Sequence, residues 1–137
     1  MTVDELNAWS PGTFVELLGI RIVSVESGRL TSEMTVRPAL IAPNGYLHAG
    51  SIVTLADTSA GFGCRAHLPE GASGFTTVEL KSNFLGTARE GMLDCEATLQ
   101  HGGRTTQIWD AVVSERSSGR RLALFRCTQM ILYPRPD

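Results

Sequence analysis

The stretch from His48 to about His67 constrains this chain most. It runs without a proline, and Ile52, Leu55, Ala56, Ser59, Ala60, Gly63 and Ala66 recur at the i, i+3, i+4 spacing of one helix face. The turn dipeptide Asn44-Gly45 stands just before it. The spacing predicts a single helix of about five turns. Between Ala49 and Cys64 the only side chain carrying a full charge at neutral pH is Asp57. A carboxylate set among small apolar residues either faces solvent or lies in a cleft that tunes it.

Helix geometry separates Asp57 from the residue that opens the helix. At about 100° and 1.5 Å per residue, His48 and Asp57 fall on opposite faces, about 13 Å apart along the axis. One chain does not easily unite them in one site. A two-fold dimer does, if Asp57 of one helix meets the start of the other chain's helix. The sequence therefore raises the expectation that the oligomer is part of the chemistry.

The rest of the chain reads as strands around this helix. Thr2-Val3-Asp4-Glu5 has the form of a capping box, and Ser10-Pro11 offers an N-cap followed by proline at the first helical position. A short helix then carries Phe14, Leu17 and Leu18 on one side and stops at Gly19. From Ile20 the period becomes two: Ile20 to Glu26 and Leu30 to Arg37 flank a turn at Ser27-Gly28-Arg29, with Leu30, Ser32, Met34 and Val36 expected inward. After a Pro/Gly/Ser-rich loop at 68–73, four strands are predicted at about 75–85, 92–101, 104–115 and 120–133. Leu93, Cys95, Ala97 and Leu99 alternate with polar residues, so that strand has one buried face. The last strand is apolar on both faces, as expected inside a sheet or at a subunit interface. A sheet with one polar face must bury the other, and the only long helix available is 48–67. The expected class is α+β, an antiparallel sheet wrapped around one long helix, with a short helical segment at the N-terminus.

Composition narrows the function. The 137 residues fit one domain with its own core, and 42% apolar and 19% charged residues describe an ordinary globular protein. Net charge is −2, and the basic residues, all arginine but Lys81, are scattered, which gives no sign of nucleic-acid binding. Three widely spaced cysteines, Cys64, Cys95 and Cys127, argue for a reducing compartment. Cys64 and His67 lie three apart, but two ligands without a third make a poor metal site, and no metal or cofactor is expected. No signal peptide and no membrane-length apolar run is visible, so the expected location is cytoplasmic.

Gly45-Tyr46-Leu47-His48-Ala49-Gly50 followed by Leu55-Ala56-Asp57 resembles the phenylacetic-acid-pathway thioesterase family and its relative, the 4-hydroxybenzoyl-CoA thioesterase type with an acidic residue on the helix. The strand Thr76 to Leu85 and the stretch His101 to Asp110 also fall where that family has them, so the resemblance covers nearly the whole chain. It implies the hotdog fold and hydrolysis of an acyl-CoA thioester, aryl or arylacetyl, between two subunits of a homodimer or homotetramer. In that reading the backbone N–H groups of Ala49 and Gly50, backed by the helix dipole, stabilise the oxyanion. Asp57 matches the acidic position and acts as nucleophile or as general base for water. His48 helps position the carbonyl or the loop, Asn44 is a weaker match to an amide that binds the carbonyl or water, and Thr77 matches a strand hydroxyl that orients water. Arg89, Arg104, Thr105, Arg120 and Arg121 are the candidates for the CoA end. Pocket size depends on which of Phe14, Leu17, Leu18, Phe62 and Phe75 line it. One departure is Ala49, where the family has the first glycine after the histidine. A non-catalytic acyl-CoA-binding module and a hotdog hydratase or dehydratase are the competing readings.

Overall fold

A computed structural model describes all of residues 1–137. Its elements are α1 (Val3–Asn7), α2 (Phe14–Leu18), β1 (Arg21–Glu26), β2 (Arg29–Thr35), a 3-10 turn (Pro38–Leu40), α3 (Ala49–Ala66), β3 (Gly74–Phe84), β4 (Met92–Gly102), β5 (Thr106–Glu115) and β6 (Arg121–Leu132). The six strands form one antiparallel sheet in the order β1-β2-β4-β5-β6-β3. Helix α3 lies in its concave face and touches every strand. This is the α+β arrangement, a sheet wrapped around one long helix, that the periodicities predict, and the hotdog fold that the resemblance implies.

Alternation decides which side of each strand meets the helix. Leu30, Ser32, Met34 and Val36 are all buried, as are Leu93, Cys95 and Ala97. The buried polar pair Ser32 and Ser59 join hydroxyls at 2.6 Å across the sheet and helix, and the Ser59 hydroxyl also lies 2.7 Å from the Leu55 carbonyl. In β4 the alternation ends one residue early. A bulge between Leu99 and His101 breaks the pairing with β5 and leaves Leu99 only half-buried. Strand β6 pairs with β5 on one side and β3 on the other; its inner face is buried, while Leu124, Met130 and Leu132 on the outer face are exposed. Strand β3 forms a sheet edge, and its Val78, Leu80 and Phe84 are exposed.

The N-terminal segment differs from expectation at one cap. Thr2 and Glu5 do form the capping box of α1. The second helix, however, is capped by Thr13, which accepts the Val15 N–H at 3.3 Å, and not by Ser10. Gly12 is the cause: at φ 77° it makes a turn after Pro11 that no helix can continue through. The Ser10 carbonyl instead accepts the Thr13 N–H and hydroxyl. Gly19 ends α2 as expected, but only Leu18 is covered, while Phe14 and Leu17 stand out at 59% and 64% exposure.

The depth of α3 is set where it passes Trp109. This ring is fully buried, and a Cβ built on Gly63 would meet its Cζ3 at 2.7 Å and Cη2 at 2.8 Å. Only a glycine lets the helix backbone lie that close. Gly63→Ala should therefore destabilise the fold although alanine favours helix. Overpacking costs about 1–3 kcal/mol against a propensity gain of at most about 1 kcal/mol. A thermal melt is expected to show a midpoint several degrees lower, and an unchanged or raised midpoint would mean that the Trp109 ring can move aside.

Candidate active site

The start of α3 is assembled by the segment before it. Ala42 N–H donates to the Tyr46 carbonyl at 2.7 Å, Gly45 N–H to the Ala42 carbonyl, and the Asn44 side-chain oxygen accepts the Tyr46 N–H at 3.2 Å. Asn44 thus closes the turn that delivers the chain to the helix. Leu47 N–H then donates to the Ala88 carbonyl at 3.0 Å and His48 N–H to the Leu40 carbonyl at 2.9 Å. These two bonds anchor the helix entrance between segment 86–91 on one flank and segment 37–41 on the other.

His48 is the N-cap. Its Nδ1 accepts the Gly50 N–H at 2.8 Å and its carbonyl accepts the Ser51 N–H at 2.9 Å. A neutral imidazole whose Nδ1 accepts carries its proton on Nε2, so the outer edge of the exposed His48 ring is a donor. Gly50 N–H is committed to His48, whereas the exposed Ala49 N–H has no hydrogen-bond partner and is the free donor at this terminus.

Asp57 sits two and a half turns further along and half-buried. Its Oδ1 is buried without any hydrogen-bond partner, and desolvation raises its pKa above the ordinary 3.8. It lies near the inner face of β6: burial first, and then the Asp57 charge, push the Cys127 thiol up to about 12. Cys127 pairs with Leu80 of the open edge strand β3. Thr77, on the same strand, donates its hydroxyl to Gln129 Oε1 at 2.8 Å. The structure thus places Asp57 and Thr77 toward the free edge of the sheet and His48 with Ala49 at the end of the helix, as the nine-residue spacing requires.

The CoA candidates divide. The Arg89 guanidinium stacks 4.3 Å from the Tyr46 ring, and Arg120 donates to the Thr87 carbonyl at 2.7 Å. Both line one open surface cavity beside the helix entrance. Arg104 and Thr105 are instead at the far end of the sheet, where Arg104 lies over Tyr133 at 5.4 Å and the Thr105 carbonyl accepts the Ile131 N–H. Arg121 lines a cleft with Arg29 and Arg116. Phe62 meets Trp9 edge-on at 5.9 Å and packs on a small cluster of Leu6, Ile22 and Leu30, away from the helix entrance. Sequence reasoning missed Arg37 and Ile41, which line a groove at that entrance. Neither carries a local signal, since both belong to the irregular link between β2 and α3.

The thioesterase superfamily model matches residues 44–121. The chain is 32% identical over 113 residues to the 1,4-dihydroxy-2-naphthoyl-CoA hydrolase of Listeria monocytogenes, covering 82% of this chain and 90% of that protein. It is 33% identical to the proofreading thioesterase EntH of Klebsiella pneumoniae, covering 96% and 95%. A crystal structure of a mutant of thioesterase PA1618 from Pseudomonas aeruginosa superposes with a TM-score of 0.90 at 29% identity, covering 96% of this chain and 94% of that one. The chain belongs to the thioesterase superfamily and is a thioester hydrolase of hotdog fold. No helix is long and apolar enough to cross a membrane.

The state of Asp57 has a measurable consequence for stability. Because its folded-state pKa is raised, the folded form holds the proton more tightly than the unfolded form does. Stability therefore falls as pH rises from about 3.8 through the raised value, and the deficit persists above it. Asp57→Asn removes that deficit. It should melt higher than the native protein at pH 7, with the difference shrinking toward pH 3.5; a variant less stable at pH 7 would show that the carboxylate is held by favourable charge contacts.

Proposed function

We propose that this chain hydrolyses aryl- or arylacetyl-CoA thioesters in a site completed by a second copy of itself, of the kind found in the phenylacetic-acid-pathway family. The observation that carries this reading is the buried Asp57 Oδ1, which has no hydrogen-bond partner within the chain and lies near β6, the strand that pairs with the open edge strand β3. An unsatisfied buried acceptor costs about 1–3 kcal/mol and more when charged, so a carboxylate left in this state is one that awaits a partner. Strand β3 supports the dimer. It is 11 residues long, lies at the edge, and exposes Val78, Leu80 and Phe84 beside unpaired backbone groups, a template for pairing with its own copy about a two-fold axis.

In the dimer the thioester carbonyl oxygen lies at the Ala49 N–H and the His48 Nε2–H of one chain, and Asp57 comes from the other. As general base, Asp57 takes a proton from water while the water oxygen bonds to the carbonyl carbon. The C–S bond then breaks, and the departing CoA thiolate receives the proton. As nucleophile, an Asp57 oxygen bonds to the carbonyl carbon, the thiolate leaves, and water opens the resulting anhydride. Single turnover in ¹⁸O-water identifies the second course when water opens the anhydride at the Asp57 carboxyl carbon, since only then does label enter Asp57.

Thiol release from phenylacetyl-, hydroxybenzoyl-, naphthoyl- and straight-chain acyl-CoA tests the function directly. Asp57→Ala is expected to lower aryl thioester turnover by about 10³ or more with the oligomer intact, a loss of about 4 kcal/mol of transition-state stabilisation. Equal turnover in both proteins removes Asp57 from the chemistry. A second variant tests the assembly. Leu80→Lys, on an exposed edge position, should give folded monomers by sedimentation and lose activity with the dimer; an active monomer would place the whole site in one chain.

A further inference from the structure

The helix entrance has two unlike flanks. On the side of segment 86–91 the cavity is polar and carries Arg89 stacked on Tyr46, with Arg120 beside it. On the side of segment 37–41 lies a groove of about 340 Å³ walled by Phe14, Leu17, Leu18, Leu40 and Ile41. Its remaining wall is the first two turns of α3, from His48 and Gly50 to Ser51 and Thr54. The opposed bonds of Leu47 to Ala88 and of His48 to Leu40 place the free Ala49 N–H between the two. A volume near 300 Å³ is at the small end of the range for ligand sites.

Two features make the groove more than a surface irregularity. Phe14 and Leu17 are large apolar side chains held in solvent, although Leu18 beside them is buried. The short helix that bears them is also tied down: the Arg37 guanidinium, on the groove wall, donates to the Leu17 carbonyl at the C-terminal end of α2. A cation there satisfies a carbonyl that the helix cannot.

Resting on the hydrolytic reading above, we infer that the substrate lies across the helix entrance with its acyl group in this groove. Phe14 and Leu17 then set the size of acyl group accepted, and Arg37 is a positioning residue that holds α2 as the wall. A carbonyl at Ala49 N–H has its sulfur and acyl substituents on opposite sides. The charged nucleotide end suits the arginine flank, and the apolar acyl group is left to the other. Phe62 and Phe75 take no part: one packs under α1, and the other lies over Gly61, whose built Cβ would meet Phe75 Cζ at 3.3 Å.

Binding of non-hydrolysable ketone analogues of CoA, in which a methylene separates sulfur from the carbonyl, tests this without requiring turnover. Calorimetry would compare a naphthyl with a methyl ketone on the native protein, Leu17→Trp, Leu17→Phe and Arg37→Met. Filling the groove should weaken the naphthyl analogue relative to the methyl one by about tenfold or more, since pockets discriminate by that order per added group. Leu17→Phe should act in the same direction with less bulk, so the result does not hang on one variant. Arg37→Met should reduce the same discrimination and raise hydrogen exchange over 14–18. Equal changes for both analogues, or none, would overturn the groove assignment. So would a Leu17→Trp protein that changes its sedimentation, because a second copy would then be the occupant. Analogue binding with native discrimination but no thiol release would sink hydrolysis and leave the groove standing; turnover with discrimination unaltered by Leu17→Trp would do the reverse.

Discussion

The close passage of Gly63 beneath Trp109 is the constraint on which the remaining geometry depends. The indole is held in place from both sides: Nε1–H donates to Gln107 Oε1 at 2.8 Å, and Gln107 Nε2 donates to the His67 carbonyl at 2.7 Å. The His67 ring continues the chain, with Nδ1 bonded to the Gly63 carbonyl at 2.7 Å and Nε2 accepting the Gly28 N–H at 2.8 Å. One connected set of hydrogen bonds therefore ties the centre of the sheet, the end of α3 and the β1–β2 turn together. With its far end fixed here and its near end held at Leu47 and His48, the helix has no freedom to rotate. The depth of Asp57 is decided by these contacts and not by its own preference for water.

That rotation lock explains a local conflict. Asp57 is made to lie toward β6 with one oxygen buried and no partner, while the neighbouring polar pairs are satisfied: Ser32 with Ser59, and Thr77 with Gln129. A sequence shaped only for the stability of one chain would place a neutral residue there. The edge strand tells the same story at larger scale, with exposed Val78, Leu80 and Phe84 alongside unpaired backbone. The carboxylate lies by β6, the strand that pairs with this edge.

Much of this was legible in the residues, for identifiable reasons. Helix α3 was legible because its small and apolar positions repeat over five turns, and β2 because its alternation is unbroken. The opposition of His48 and Asp57 followed from helix geometry alone. Less was legible where the determinant is a three-dimensional coincidence. Ser10-Pro11 looks like a helix start until the turn at Gly12 intervenes, and Leu99 looks buried until the bulge shifts its strand. That Gly50 N–H is taken by the His48 ring depends on a rotamer, which no spacing rule contains. Phe62 and Phe14 look alike in the sequence, yet one packs under α1 and the other borders a groove, because α1 covers one face of α3 and α2 stops short of covering the other.

The capping role of His48 also accounts for the departure at Ala49. With Nδ1 on the Gly50 N–H, the ring lies against residue 50, where a built Cβ would meet Nδ1 at 2.9 Å and Cε1 at 3.1 Å. The demand for a missing side chain therefore falls on position 50 and not on position 49. Ala49, the first helical residue, is exposed, and alanine is the best helix former available there. The methyl group leaves its backbone N–H in place. The histidine orders the turn by taking one donor of the helix terminus, the Gly50 N–H, and the Ala49 N–H beside it keeps no hydrogen-bond partner. In this chain, capping the helix and choosing which terminal N–H stays unbonded are the same structural act.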